Sequence, residues 1–373
     1  MKRIALIYCF LCCVGFLLAQ DCYTSSRSRG IIAYNQGKTQ EALQHFRYAL
    51  NNCDDLPPNH DLNSWIKKCG DAAKEQKRAI KPAIQENTTN TPNEAIGLTS
   101  AELVKKGNHF FETKNYQDAF KYYKDAAQKG NAEAQNNLGE MYYNGYGITQ
   151  DYTEAIGWFS KAAEQGNGDA QCNLGSMYYY GYGVAQDYIE AIEWFYTAAK
   201  QGNASGQNNL GHMYYNGYGI TQDYTEAIRW FCKAAEQGNA SGQNNLGHMY
   251  YNGDGVTKNY TEAAKWFSKT AEQGDAFGQN FLGHMYYNGY GITQNYTEAA
   301  KWYSKAAEQG NASGQKNLGD MYYNGYGVMQ NHSEAVKWYR KAAEQGNKAA
   351  AERIVQVENK PNRVIHGTVT DDR

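Results

Sequence analysis

The chain has no surplus of charge. Its 36 Lys and Arg stand against 38 Asp and Glu, a formal net charge of −2, so no basic surface is available to hold a nucleic-acid backbone non-specifically. Apolar runs are equally scarce. After the stretch Ile4–Leu18 nothing is long and apolar enough to cross a bilayer. Cysteine is sparse and unevenly placed. Of eight, Cys9, Cys12 and Cys13 lie in that first apolar run, Cys22, Cys53 and Cys69 follow it, and Cys172 and Cys232 stand alone at positions where corresponding segments carry Asn, Lys, Ser, Tyr or Arg. A disulfide ladder through the body of the chain is therefore excluded.

The N-terminus itself is informative. Lys2-Arg3, the apolar run and Ala19-Gln20-Asp21 have the layout of a secretory signal peptide over 1–19, with an uncleaved anchor as the alternative because Leu17 is an imperfect residue before the cut. Gln20-Asp21 ahead of Cys22 argues against a lipoprotein. The expectation is an exported bacterial chain, periplasmic, associated with the outer envelope or secreted, with no integral membrane segment once the signal is removed. Export permits one disulfide among Cys22, Cys53 and Cys69, and sequence cannot choose the pair.

What the chain has in abundance is repetition. From 130 to 345 one 36-residue phrase recurs six times without insertion or deletion, in register on Gly130, Gly166, Gly202, Gly238, Gly274 and Gly310, with Gly346 closing the last copy. A fixed period of this length marks a solenoid of one stacked supersecondary unit. Each copy predicts two helices. In the first, Asn131 caps a helix with an apolar stripe at Ala134, Leu138, Met141 and Tyr142, and Gly139 allows close packing. Asn144-Gly145-Tyr146-Gly147 breaks that helix, and Ile148 plugs the hairpin. Asp151 and Glu154 form a capping pair for the second helix, whose buried face is Tyr152, Ala155, Trp158, Phe159 and Ala162. Most of the 33 Tyr and six of the seven Trp belong to this framework.

The flanks divide as follows. Residues 20–80 predict a helical domain, with Gly30, Gly37, Ala42, Phe46 and Ala49 at tetratricopeptide-like spacing, and 81–99 a linker. Residues 100–129 restart the spacing with Gly107, Phe110, Tyr116, Ala119, Tyr123 and Ala126 as a tetratricopeptide-like capping repeat. The six repeats occupy 130–345, a capping helix 346–358 and a disordered tail 359–373.

The phrases AEAQNNLGEMYYNGYGI and DYTEAIGWFSKAAEQG resemble the Sel-one-like repeat family, a relative of the tetratricopeptide repeat. The resemblance implies an all-α fold, a right-handed α-solenoid of helix-turn-helix repeats, used to bind proteins. A cysteine-rich branch of that family, associated with β-lactams, carries a cysteine pair per repeat. This chain has none, so that association does not transfer. The tail stretch Gly367–Asp371 resembles the opening strand of a carboxypeptidase-regulatory-like domain whose remainder is absent.

Candidate chemistry is thin. Ser64-Trp65-Ile66-Lys67 matches S-x-x-K without the S-D-N and K-T-G elements that acylation chemistry requires. Gly37-Lys38-Thr39 lacks the earlier glycine of a phosphate loop. His212, His248 and His284 share one repeat position, but helices about 8–10 Å apart bring two such side chains to one ion at full stretch and never three. The sequons at Asn203, Asn239, Asn259, Asn295 and Asn311 coincide with helix caps. No catalytic set, metal or cofactor is expected. By analogy with tetratricopeptide grooves, Asn208, His212, Tyr215, Asn244, His248, Tyr251, Asn280, His284 and Tyr287, with Ser205, Ser241 and Phe277, line a ligand-facing surface that offers amide and phenol groups to an extended backbone. Packing of the tyrosines between repeats is the alternative for them. The expected function is non-catalytic binding of a protein or peptide. Glycan binding and a cell-wall amide or β-lactamase-like enzyme are the alternatives.

Overall fold

A computed structural model describes residues 97–358. The N-terminal domain, the linker up to 96, Cys22, Cys53, Cys69, the Ser64–Lys67 motif, Gly37–Thr39 and the tail from 359 lie outside the described residues. Within them the chain is all-α, fifteen helices with no strand, seven consecutive pairs and one last helix. They fall into two compact units. One runs to Gln201 and takes in the turn Tyr218–Ile220; the other holds Gly202–Gly217 and everything from Thr221 onward.

The first unit contains α1 (Ser100–Glu112), α2 (Tyr116–Gln128), α3 (Ala132–Asn144), α4 (Tyr152–Glu164), α5 (Gly168–Tyr180) and α6 (Tyr188–Lys200). The second contains α7 (Ala204–Asn216), α8 (Tyr224–Glu236), α9 (Ala240–Asn252), α10 (Tyr260–Glu272), α11 (Ala276–Asn288), α12 (Tyr296–Glu308), α13 (Ala312–Asn324), α14 (His332–Glu344) and α15 (Lys348–Glu358).

Local chemistry sets the helix ends. Asn131 Oδ1 accepts from the N–H of Ala134 at 2.9 Å, and Gly145 takes φ +73° and donates to the Met141 carbonyl. That left-handed turn is one a side chain resists. Asp151 Oδ1 accepts from Thr153 and Glu154 N–H at 2.9 and 3.1 Å. The reciprocal Glu154 bond of a capping box is not made, because the Asp151 N–H already donates to the Tyr142 carbonyl at 2.9 Å. The complete capping box is at Thr99 and Glu102.

Each repeat has its own buried layer. In the first unit one such layer is Ala155, Phe159, Ala162, Ala163, Ala170, Leu174 and Met177; in the second, Ala263, Ala264, Phe267, Ala271, Leu282 and Met285 form another. A Cβ on Gly139 would stand 2.7 Å from the Phe159 ring, so this glycine sets how closely the paired helices approach. Tryptophan departs from expectation. Trp230 is buried, at 3% exposure, but Trp158, Trp194, Trp266, Trp302 and Trp338 are half-buried. A lysine three residues on stacks on Trp158, Trp266, Trp302 and Trp338, as in Lys161 over Trp158 at 3.9 Å and Lys269 over Trp266 at 3.8 Å, and on the buried Trp230 as well, while Trp194 has Thr197 at that place. The indole is large enough to pack with one edge and stack a cation with the other face.

Candidate functional site

Three polar ladders join successive repeats, and they consume much of what the sequence offered as ligand contacts. The first is made of glutamines. Gln171 Nε2 donates to the Ala163 carbonyl at 3.2 Å, and its Oε1 accepts from Gln201 Nε2 at 2.8 Å. Gln243 repeats this with Ala235 at 3.1 Å and Gln273 at 3.2 Å, Gln279 with Ala271 at 3.3 Å and Gln309 at 2.8 Å. The last-turn carbonyls of a helix have no partner within it; here the next repeat supplies one. Sequence reasoning passed over these residues. The available signal was a Gln retained in every copy inside an otherwise apolar stripe.

The second ladder is made of asparagines on the first helix of each repeat. Asn245 Nδ2 donates to Asn208 Oδ1 at 2.9 Å, and Asn317 Nδ2 to Asn280 Oδ1 at 2.9 Å. Asn173 does the same to Asn136 at 3.0 Å in the first unit. Asn244 and Asn280 are each only 7% exposed. Their amides were expected to face a ligand; the structure gives them to neighbouring helices, since a buried amide has to find its partners within the protein.

The third is made of tyrosines. Tyr251 packs at 5.2 Å on Tyr260 and at 6.2 Å on Tyr290, and those two stack at 4.7 Å. Tyr287, Tyr296 and Tyr326 repeat the triad at 5.3, 6.2 and 4.9 Å. At Tyr215 the third member is replaced by Asp254, and the phenol donates to its carboxylate at 2.8 Å while the ring stays on Tyr224 at 5.1 Å. Burial, with this bond second, pushes the Tyr215 phenol up to about 12. Tyr215, Tyr251 and Tyr287 thus hold repeats together rather than standing free for a ligand.

What remains open on the first-helix face of the second unit is a narrower set. Ser205, His212, Ser241, Phe277 and Ser313 are exposed, and His248 and His284 are half-buried. His248 lies among three phenyl rings, Phe281 at 4.4 Å, Phe277 at 5.2 Å and Phe267 at 5.5 Å. His284 lies 6.0 Å from the Tyr251 ring and 6.4 Å from Phe281. Burial holds both imidazoles below their usual range. Asp254 partly opposes this at His248, and Lys316 reinforces it at His284. Among the described residues no group of three or more His, Cys, Asp or Glu is disposed to hold an ion.

Farther along, Asp320 accepts from Tyr339 Oη at 2.7 Å and pairs with Lys316 at 2.6 Å and Arg353 of α15 at 3.4 Å. This network ties the last helix down. Cys172 and Cys232 are not joined in a disulfide, and no described helix is long and apolar enough to cross a membrane.

With the geometry in place, comparison with known proteins is direct. The Sel1 repeat model matches residues 105–131, 132–167, 168–203, 204–239, 240–275, 276–311 and 312–347. The first of these overlaps residues 100–129, the segment expected to be a tetratricopeptide-like cap, and runs on to 131. A protective antigen of uropathogenic Escherichia coli with an SLR fold is 40% identical, covering 72% of this chain and 58% of that one, at a TM-score of 0.60. A Sel1 repeat protein from Oxalobacter formigenes is 37% identical, covering 65% of this chain and 99% of that one, at 0.61. No curated protein matches the chain. Proteins built from such repeats are commonly protein-interaction modules and generally not enzymes. Seven consecutive matched stretches, each spanning a helix pair of the same geometry, make this chain a member of the Sel1 repeat family.

Proposed function

We propose that the chain is a non-catalytic scaffold that works after export and binds a protein or peptide along the first-helix face of its repeats, at α7, α9, α11 and α13. The observation that carries this reading is the contrast between positions. The glutamines that join repeats, Gln135, Gln171, Gln207, Gln243, Gln279 and Gln315, are the same in all six copies. The exposed position two residues before each does change, through Glu133, Asp169, Ser205, Ser241, Phe277 and Ser313. Constant framework with variable open positions is how a repeat array acquires a partner without losing its fold. The basic start, apolar run and Ala19 of the N-terminus support export. The glycan alternative rested on tyrosines and asparagines that lie in the ladders, which takes away its main support.

The test uses the immobilised full chain against a bacterial envelope extract. One variant carries Ser205→Arg, Ser241→Arg and Ser313→Arg. A control carries Thr225→Arg and Thr261→Arg, exposed positions on the second helices. A protein held by the parent and the control but lost with the first variant is the expected result. Equal capture by all three refutes the placement. For export, the chain expressed with its N-terminus should be recovered outside the cytoplasm beginning at Gln20.

A further inference from the structure

One helix departs from the pattern at two neighbouring positions. On α11, Phe277 replaces the Ser of α7, α9 and α13, and Phe281 replaces the Asn that donates across the stack in α9 and α13. A phenyl ring has no donor. Asn244 Oδ1 is accordingly buried without a partner, where Asn208 and Asn280 each accept from the following helix. An amide flip offers no remedy, because Asn244 Nδ2 donates to the Asp275 carboxylate at 2.9 Å and a carboxylate can only accept. His284 Nδ1, in the same cluster, is also buried without a partner. A buried polar group left without a partner destabilises the fold. In the same ring cluster Phe277, 38% exposed, packs on Phe281 at 4.7 Å and on His248 at 5.2 Å.

We propose that this cluster is the anchor subsite of the peptide-binding face. An aromatic side chain of the partner peptide stacks on Phe277 and His248, and an adjacent peptide N–H donates to Asn244 Oδ1 once Phe281, which stands in the place of the missing donor, gives way. The inference rests on the peptide-binding reading above and adds the chemistry of the ligand. Charge complementarity selects an uncharged anchor. The charges around the cluster are already engaged, Lys316 with Asp320 at 2.6 Å, Asp254 with Tyr215 at 2.8 Å and Asp275 with Asn244 at 2.9 Å, so none is left to hold a charged anchor. An aromatic group needs no such partner and matches the rings around His248. Aromatic anchors in desolvated pockets are also where binding energy concentrates.

A random peptide library of about 12 residues, displayed on phage and selected on the full chain, provides the probes. Selected peptides are then synthesised, and their affinities measured by fluorescence anisotropy against the parent, Phe277→Ser and Phe281→Asn. The expected result is a shared aromatic position at which Ala weakens binding about tenfold or more, and a similar loss in both variants. Phe281→Asn restores the missing donor, so it should lose affinity while its thermal midpoint rises. That combination separates loss of the site from loss of the fold.

Peptides without an aromatic position, or unchanged affinity in both variants, overturn the anchor. If those peptides are still lost with Ser205→Arg and Ser241→Arg, the peptide-binding face stands and only the anchor fails. If no peptide is selected, or all bind irrespective of either set, both readings fall. Binding of soluble chitooligosaccharide that depends on Phe277 would overturn the peptide in favour of a sugar platform. A lower thermal midpoint for Phe281→Asn would refute the unpaired acceptor on which the inference is built.

Discussion

Gly183, the second glycine of its turn, should be far less tolerant of a methyl group than Gly166, although the two have similar backbone angles. Gly183 has φ +69° and Gly166 φ +86°, so alanine at either pays the left-handed penalty of about 1–2 kcal/mol. A smaller unfolded chain entropy offsets it by about 0.4–1 kcal/mol. Their surroundings differ. A Cβ at Gly183 would lie 2.7 Å from the Tyr152 carbonyl carbon and 2.8 Å from its oxygen, whereas at Gly166 the nearest atom is Gln201 Oε1 at 4.0 Å. The crowding at Gly183 is against backbone, which cannot rotate away, and overpacking of this kind costs about a further 1–3 kcal/mol.

Gly183→Ala should therefore be worse than Gly166→Ala by about 2 kcal/mol, roughly thirtyfold in an opening constant. Since a repeat array need not unfold as one unit, the assay is hydrogen exchange read by mass spectrometry on peptides from α4 and α5, supported by urea midpoints. Equal loss of protection in the two variants would show that the turn does not seat on the preceding repeat.

Gln243→Ala should destabilise by about 1–3 kcal/mol, the net worth of two hydrogen bonds, because it removes the second donor to the Ala235 carbonyl, which keeps the Gly238 N–H, and the acceptor of Gln273; urea unfolding measures it, and a change within error removes the ladder from the energetics. Asp320→Ala leaves Lys316, Tyr339 and Arg353 without their common acceptor. Its expected cost is about 2–3 kcal/mol, with exchange protection lost first in α14 and α15. Acid should weaken the second unit. His248 and His284 are held below their unfolded value of about 6.5, so below that pH the unfolded chain binds more protons than the folded one. The contribution is complete above about pH 6.5 and is lost as pH falls towards the folded values. Urea midpoints between pH 7.5 and about 5 should fall in the parent and flatten in a His248→Gln, His284→Gln double variant; parallel curves would refute the assignment. Changing Tyr251 and Tyr287 together to Ala should lower the thermal midpoint, since each belongs to an inter-repeat triad; an unchanged midpoint would return these rings to the ligand.

Several features of this protein follow from sequence alone. A fixed 36-residue period, Asn at the start of the first helix, Gly145 and its equivalents at its end, and Asp151 or Asn259 at the start of the second are local signals. Capping and left-handed turns depend on a few adjacent residues, so helix number, order and pairing were legible before any coordinates. The family followed from the same phrases. The division of the polar residues was not legible in this way. Asn208 and Ser205, or Gln243 and Ser241, lie within a few residues of one another on one helix. Whether each meets water or a neighbour depends on the helix about 36 residues away. Only the packed structure shows that Asn280 is taken by Asn317, that Tyr215 turns to Asp254, and that Phe281 leaves Asn244 Oδ1 unpaired. The physical reason is that a hydrogen-bond partner or a covering ring belongs to the next repeat, and the choice between framework and open surface is made across that contact rather than along the chain.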